Sequence, residues 1–205
     1  GAALATIGAG RAITGLVRVG KEIESLQIRF KILFGSAEEG AKAFDNLTNF
    51  AAKVPFSLGD IAAASGNLAV VAKDADELTK ILEITGNVAG ATGLDFQTTA
   101  SQIQRAFAGG IASADIFREK GVRDMLGFSA GAKVSVEETI EAFKKAFAGN
   151  GEFAGTTKAL AGTLEGALSM VGDKFLKFQL AINESFFAEL KKQFGDLNKV
   201  LDDNH

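Results

Sequence analysis

Apolar residues recur every three to four positions along most of this chain. No segment alternates apolar and polar residues at period two, so the pattern predicts an all-α fold. The first run, residues 2–34, sets Ile13, Leu16, Ile23, Leu26, Phe30 and Leu33 on one face of an amphipathic helix. Gly35 stops it, and Ser36-Ala37-Glu38-Glu39 reads as a capping box for a second helix over 37–53, with Phe44, Leu47 and Phe50 on one side. A third helix over 58–72 carries Ile61, Leu68 and Val71. Asp74-Ala75-Asp76-Glu77 opens a fourth with Leu78, Ile81, Leu82 and Val88, ending near Thr92-Gly93. Asp95 caps a fifth helix carrying Ile103 and Phe107, which Gly109-Gly110 breaks.

Further along, Ser113 starts a short helix through Arg118, closed by Gly121, and 122–133 reads as a looser stretch with Gly127 and Gly131. Ser135-Val136-Glu137-Glu138 is another capping box, followed by a stripe of Ile140, Phe143 and Phe147 and a turn at Gly149-Asn150-Gly151. From Thr157 the positions Leu160, Leu164, Leu168, Val171, Phe175, Phe178 and Ile182 hold helical spacing. Phe186, Leu190, Phe194, Leu197 and Leu201 continue it after a break at Asn183-Glu184-Ser185. The expected architecture is an irregular multi-helix bundle with long helices at the N- and C-terminal ends. Its divisions fall at 1–35, 36–182 and 183–205.

Val54-Pro55-Phe56-Ser57-Leu58-Gly59-Asp60-Ile61 is the sharpest local signal. Pro55, the one proline of the chain, lacks an N–H and steers the residue before it away from helix, so the second helix ends by Lys53. Ser57 then caps the third helix toward Asp60, and Phe56 and Ile61 take the two places of a hydrophobic staple.

Composition narrows the chemistry. The chain has 17 Phe but no Trp or Tyr, so its aromatic residues are expected to pack rather than recognise. A net charge of -3 from 22 basic and 25 acidic residues gives no electrostatic case for sequence-specific nucleic-acid binding. With no Cys, and with His205 as the one histidine, the usual zinc sites and Cys-His or Ser-His nucleophiles are excluded within this chain. His205 ends the chain and reads as a frayed tail. Asp74, Asp76, Glu77, Glu137 and Glu138 stand at helix starts, where the dipole favours negative charge without catalysis. Gly8-Ala9-Gly10-Arg11-Ala12-Ile13-Thr14-Gly15 has neither the strand before it nor the Gly-Lys-Ser/Thr after it that a phosphate loop needs. Charged residues interrupt 2–34 too often for a transmembrane helix. No catalytic residue, metal or cofactor is expected. Gly1-Ala2-Ala3 reads as the start of an excised fragment or mature product.

Several segments in order carry a family likeness. Val54-Pro55-Phe56-Ser57-Leu58, then Ala62-Ala63 and Leu68, then Ile84-Thr85-Gly86-Asn87-Val88-Ala89-Gly90-Ala91-Thr92-Gly93 resemble the conserved domain of tape measure proteins of tailed bacteriophages. The run Ser101-Gln102-Ile103-Gln104-Arg105-Ala106-Phe107-Ala108-Gly109-Gly110 and the segment Ile116 to Val122, with Gly121, are similar to the same family. So are Gly151-Glu152-Phe153 and the closing run from Thr163 through Gly166 to Asp173. The likeness covers 36–182, and it marks Pro55, Phe56, Ser57, Gly93, Gly121, Thr163, Gly166 and Asp173 as structural motif residues.

That resemblance implies a virion structural protein inside the tail tube, acting in tail assembly, length determination and genome ejection. It also implies contacts with tail tube and tail assembly chaperone proteins, while the Ala/Gly-rich helices and the apolar stripe persisting to Leu201 point to self-association. Even as one unbroken helix, the chain would reach only roughly 300 Å at the helical rise per residue. It is repeatedly broken, so the expectation is the conserved globular portion of a larger protein, with the end helices leading out of it. Residues 2–19, with two arginines, are a candidate for contact with the host membrane after ejection. The alternatives from other classes are an α-helical peptidoglycan-degrading enzyme and a lipid or small-molecule binding bundle.

Overall fold

Short polar residues at helix starts divide this chain into its elements. The structure, a computed structural model, describes residues 25–163. Helix α1 occupies 25–34, followed by α2 (Ala37–Ala51), α3 (Leu58–Leu68), α4 (Ala75–Thr92) and α5 (Phe96–Gly109). Two short helices, α6 (Asp115–Glu119) and α7 (Val122–Met125), lead to α8 (Val136–Phe147) and α9 (Thr156–Ala161). Single 3₁₀ turns at Ala69–Val71 and Ile111–Ser113 extend α3 and follow α5, and no strand occurs among the described residues. The all-α class read from periodicity is therefore the class observed. The expected helices over 2–24 and 183–205, and the apolar positions from Leu164 to Leu201, lie outside the described residues.

Five helix starts use the side chain the sequence offered. Ser36, Ser57, Asp74, Asp95 and Ser135 each accept from the backbone N–H three residues on, at 2.9, 3.1, 2.7, 2.8 and 3.1 Å. Each satisfies an N–H that the helix itself leaves without a partner. At Ser135 the box is complete, because the Glu138 carboxylate accepts from the Ser135 N–H at 2.8 Å. At Ser36 it is not, because Glu39 turns outward and accepts from Ala75 N–H at 3.1 Å, joining α2 to the start of α4.

Contacts between elements fix their directions. Glu39 and Lys42 of α2 reach Ala75 and Asp76 at the start of α4. Phe50, near the other end of α2, lies 3.5 Å from the Cβ position of Gly86. Helices α2 and α4 thus run parallel. Asp60 near the start of α3 accepts from Gln97 near the start of α5, and α5 also packs on the turn that ends α3, so this pair is parallel too. Two αα-hairpins, α2–α3 and α4–α5, therefore stack in the same sense, and their turns at 52–57 and 93–95 share one end.

The core lies between them and under α8. Leu47, Ile61, Leu68, Leu78, Leu82, Ile84, Val88 and Ile103 are fully buried. Phe107, Phe117 and Phe147 all contact the Phe143 ring, with centroids 5.6, 5.8 and 5.9 Å away. Each such ring taken from water contributes about 1.5–3 kcal/mol.

Other local expectations are corrected by longer-range contacts. Ser113 does not cap α6; its hydroxyl donates back to Gly109 C=O at 3.0 Å, and α6 begins after Ala114 with no side-chain cap. The stretch over 122–133 is not uniformly loose, since Val122 is buried and opens α7. On α8 the fully buried positions are Thr139, Phe143 and Phe147, with Ile140 half-buried beside them, and the Thr139 hydroxyl accepts from Ile111 N–H. The helix read from Thr157 as continuous ends at Ala161, where Gly162 N–H turns back to bond Lys158 and Ala159.

Candidate functional site

Pro55, Phe56 and Ser57 form the turn between α2 and α3. Val54 is buried and Pro55 half-buried, and the Ser57 hydroxyl, besides capping α3, donates to Asp60 Oδ2 at 2.6 Å. The other Asp60 oxygen accepts from Gln97 Nε2 at 2.8 Å, carrying the turn across to α5. Phe56 lays its ring against Phe96, the first residue of α5, at a centroid distance of 5.0 Å. Its ring carbon also lies 3.5 Å from the Cβ position of Gly86. Gly93 closes α4 with φ 71°, a left-handed conformation that a side chain would strain, and its N–H bonds Ala89 C=O at 2.9 Å. The 54–57 corner and the Gly93 turn are therefore neighbours at one end of the bundle.

Gly86 sits where these pieces meet. A Cβ there would lie 2.9 Å from Thr157 Oγ1, and one at Gly90 would lie 2.9 Å from a Thr156 methyl. One turn apart on α4, these two glycines let α9 seat directly on the helix. Asn87 lies between them. Its Nδ2 donates to Phe147 C=O, the last residue of α8, at 2.8 Å, and its Oδ1 accepts from Thr157 N–H, in the first turn of α9, at 3.0 Å. One side chain thus satisfies an unpaired carbonyl at the end of α8 and an unpaired N–H at the start of α9. The Thr157 hydroxyl, with the residue 8% exposed, is buried without a hydrogen-bond partner.

Two further motif residues are described. Gly121 holds the left-handed conformation that starts α7, with φ 72°. Thr163 is the last described residue, its hydroxyl donating to Leu160 C=O at 2.7 Å. Gly166, Asp173 and His205 lie outside the described residues, as do Gly8 to Gly15. Asn87 was missed by sequence reasoning apart from its place in the family-like run, since its partners lie 60 and 70 residues further on.

Charged groups are spread over the surface, and several serve helix ends. Lys42 donates to Asp76 at 2.7 Å; this bond holds the Asp76 carboxyl below its ordinary value and raises the Lys42 ammonium above its own. The Thr98 backbone N–H lowers the Asp95 carboxyl in the same way. No group of acidic or histidine side chains that could hold a metal ion occurs among the described residues. Ile111, Ala114, Asp115, Arg118 and Arg123 line a hollow of about 90 Å³, well below the volume of ordinary ligand pockets. No described helix is long and apolar enough to cross a membrane.

A family model described as tape measure protein matches residues 14–120, more than half of the chain. The match takes in both stacked hairpins, the 54–57 corner and the Gly86-to-Gly93 segment. It begins ahead of the likeness read from the motifs and stops short of Gly121, Thr163, Gly166 and Asp173. No curated protein and no solved structure matches the chain.

Proposed function

Because this chain belongs to the tape measure protein family, we propose that it is the globular helical portion of a phage tail tape measure protein. In that role it acts in tail assembly, tail length determination and genome delivery. One observation carries this reading: the matched residues take in α2 to α5, the two stacked hairpins with the corner and the glycine turn at their shared end. The described residues form helices of 4 to 18 residues. Such elements suit a folded station on a longer protein better than the ruler itself. The partners that follow are further copies of the chain, the tail tube and the tail assembly chaperones. The location that follows is the lumen of the tail tube, after assembly in the host cytoplasm.

Contact with the host envelope during infection belongs to the same proposal and rests on residues 2–19. Liposomes of anionic lipid at low salt are its test, and a peptide of that stretch that stays unbound would remove it.

The experiment for the main reading is an in-frame deletion of 25–163 in the phage that encodes the chain. Electron microscopy should show tails lost or altered in length, and mass spectrometry of intact virions should find peptides from this region. Normal tails and full infectivity after the deletion would overturn it.

A further inference from the structure

We propose that α9 is a strap, latched by Asn87, that lifts off α4 as a unit while the two hairpins beneath it stay folded. Four observations carry this. Among the described elements, α9 packs principally on α4. At six residues, with Gly155 before it and no side-chain cap, it is too short to hold its own shape in water. Among its side chains Thr157 is the buried one, while Leu160 is 36% exposed. Finally, the Thr157 hydroxyl is buried with no partner, whereas the other buried hydroxyls, Ser65, Thr85, Thr99 and Thr139, bond the carbonyl four residues back at 2.6 to 2.8 Å.

The two groups at position 157 therefore pull in opposite directions. Its N–H is held by the Asn87 amide, and its hydroxyl regains water only when the strap opens. Without the Asn87 bond, what remains between α9 and α4 is contact with the glycine-floored face. Opening bares Gly86 and Gly90 and the edges of the Phe50 and Phe56 rings beside them. The hairpins lose no hydrogen bond of their own when this happens.

Native-state hydrogen exchange on the whole chain tests the strap, since the Thr157 amide reports the latch directly. In the unaltered protein, amides of 157–161 should exchange at least about tenfold faster than those of Ile84 and Val88, with little dependence on denaturant, as local opening requires. Asn87→Ala should speed the α9 amides by about a further tenfold, in line with loss of one buried hydrogen bond. Thr157→Val should slow them, because the new methyl has no need of water.

Exchange of α9 and α4 at one rate with one denaturant dependence would overturn the proposal. So would a Thr157→Val variant whose α9 exchange is unchanged or faster. If Asn87→Ala unfolds the chain outright, the unaltered protein and Thr157→Val still decide the matter.

Discussion

Helices α8 and α9 follow one another across a single loop, 148–155, and are held in opposite ways. Helix α8 starts with a complete capping box, buries Thr139, Phe143 and Phe147, and ends with Phe147 stacked on Phe153 at 5.1 Å. Helix α9 starts without a side-chain cap, fully buries Thr157 alone, and rests on α4 through the Asn87 amide and the close approach of Thr156 and Leu160 to Gly90. Hold is thus set by how many independent fastenings a helix makes, more than by helical character. Lys and Ala residues give α9 respectable propensity, and this does not compensate for the missing contacts.

The sharpest way to break the contrast is to hollow out α8. Phe143→Ala removes the ring on which Phe107, Phe117 and Phe147 converge and should cost about 3–5 kcal/mol in urea unfolding. A loss below 1 kcal/mol would mean α8 is no better held than α9.

Gly86→Ala comes next. The new methyl gains about 1 kcal/mol of helix propensity but meets Thr157 Oγ1 at 2.9 Å, where crowding costs about 1–3 kcal/mol. Net destabilisation, with faster proteolysis around 155–163 than in the hairpins, is the expected result. A more stable protein with unchanged cleavage would show that α4 and α9 are not in close contact.

Caps should matter less, and about equally at α3 and α8. Ser135→Ala and Ser57→Ala each lose a side-chain cap and should cost about 1 kcal/mol by thermal or denaturant unfolding. Ser57→Ala also loses the hydroxyl bond to Asp60, so a double cycle with Gln97→Ala should reveal coupling between the turn and α5.

The smallest effect is on acid stability. The folded Asp95 and Asp76 carboxyls titrate below their ordinary range, so their contribution is present above the unfolded value near 4 and is lost as pH falls through the folded value. Carbon-detected NMR titration should place the Asp95 midpoint below that of an exposed Asp. Asp95→Asn should flatten the decline in stability at low pH without shifting stability near neutrality by much.

What the sequence made legible was what it encodes locally. Ser57, Asp95 and Ser135 lie three residues from the N–H they satisfy, and Gly93 sits beside the helix it ends, so spacing alone locates them. Long-range geometry was not legible in that way. Glu39 looked like the second half of a box and instead serves Ala75, 36 residues on. Thr139 did not look like a core position, yet it is buried where its hydroxyl accepts from a backbone N–H 28 residues earlier. Leu160 looked like the core position of α9, but against the glycine face of α4 it keeps 36% of its surface exposed beside Gly90, and Thr157 is the residue buried over Gly86. At the candidate site, the corner could be read from Pro55 and Ser57. Asn87 could not, since an amide inside a glycine-marked run says nothing of partners that fold onto it later.

The position of that amide in the chain bears on synthesis. The bridge from Asp60 to Gln97 can close once α5 has left the ribosome, so the two hairpins can pair early. Thr157 emerges only afterwards, on the order of 2–10 s later at ordinary elongation rates. Throughout that interval the nascent chain presents the glycine face of α4 uncovered, and any helper that attends its folding meets this surface before the chain's own last described helix closes over it.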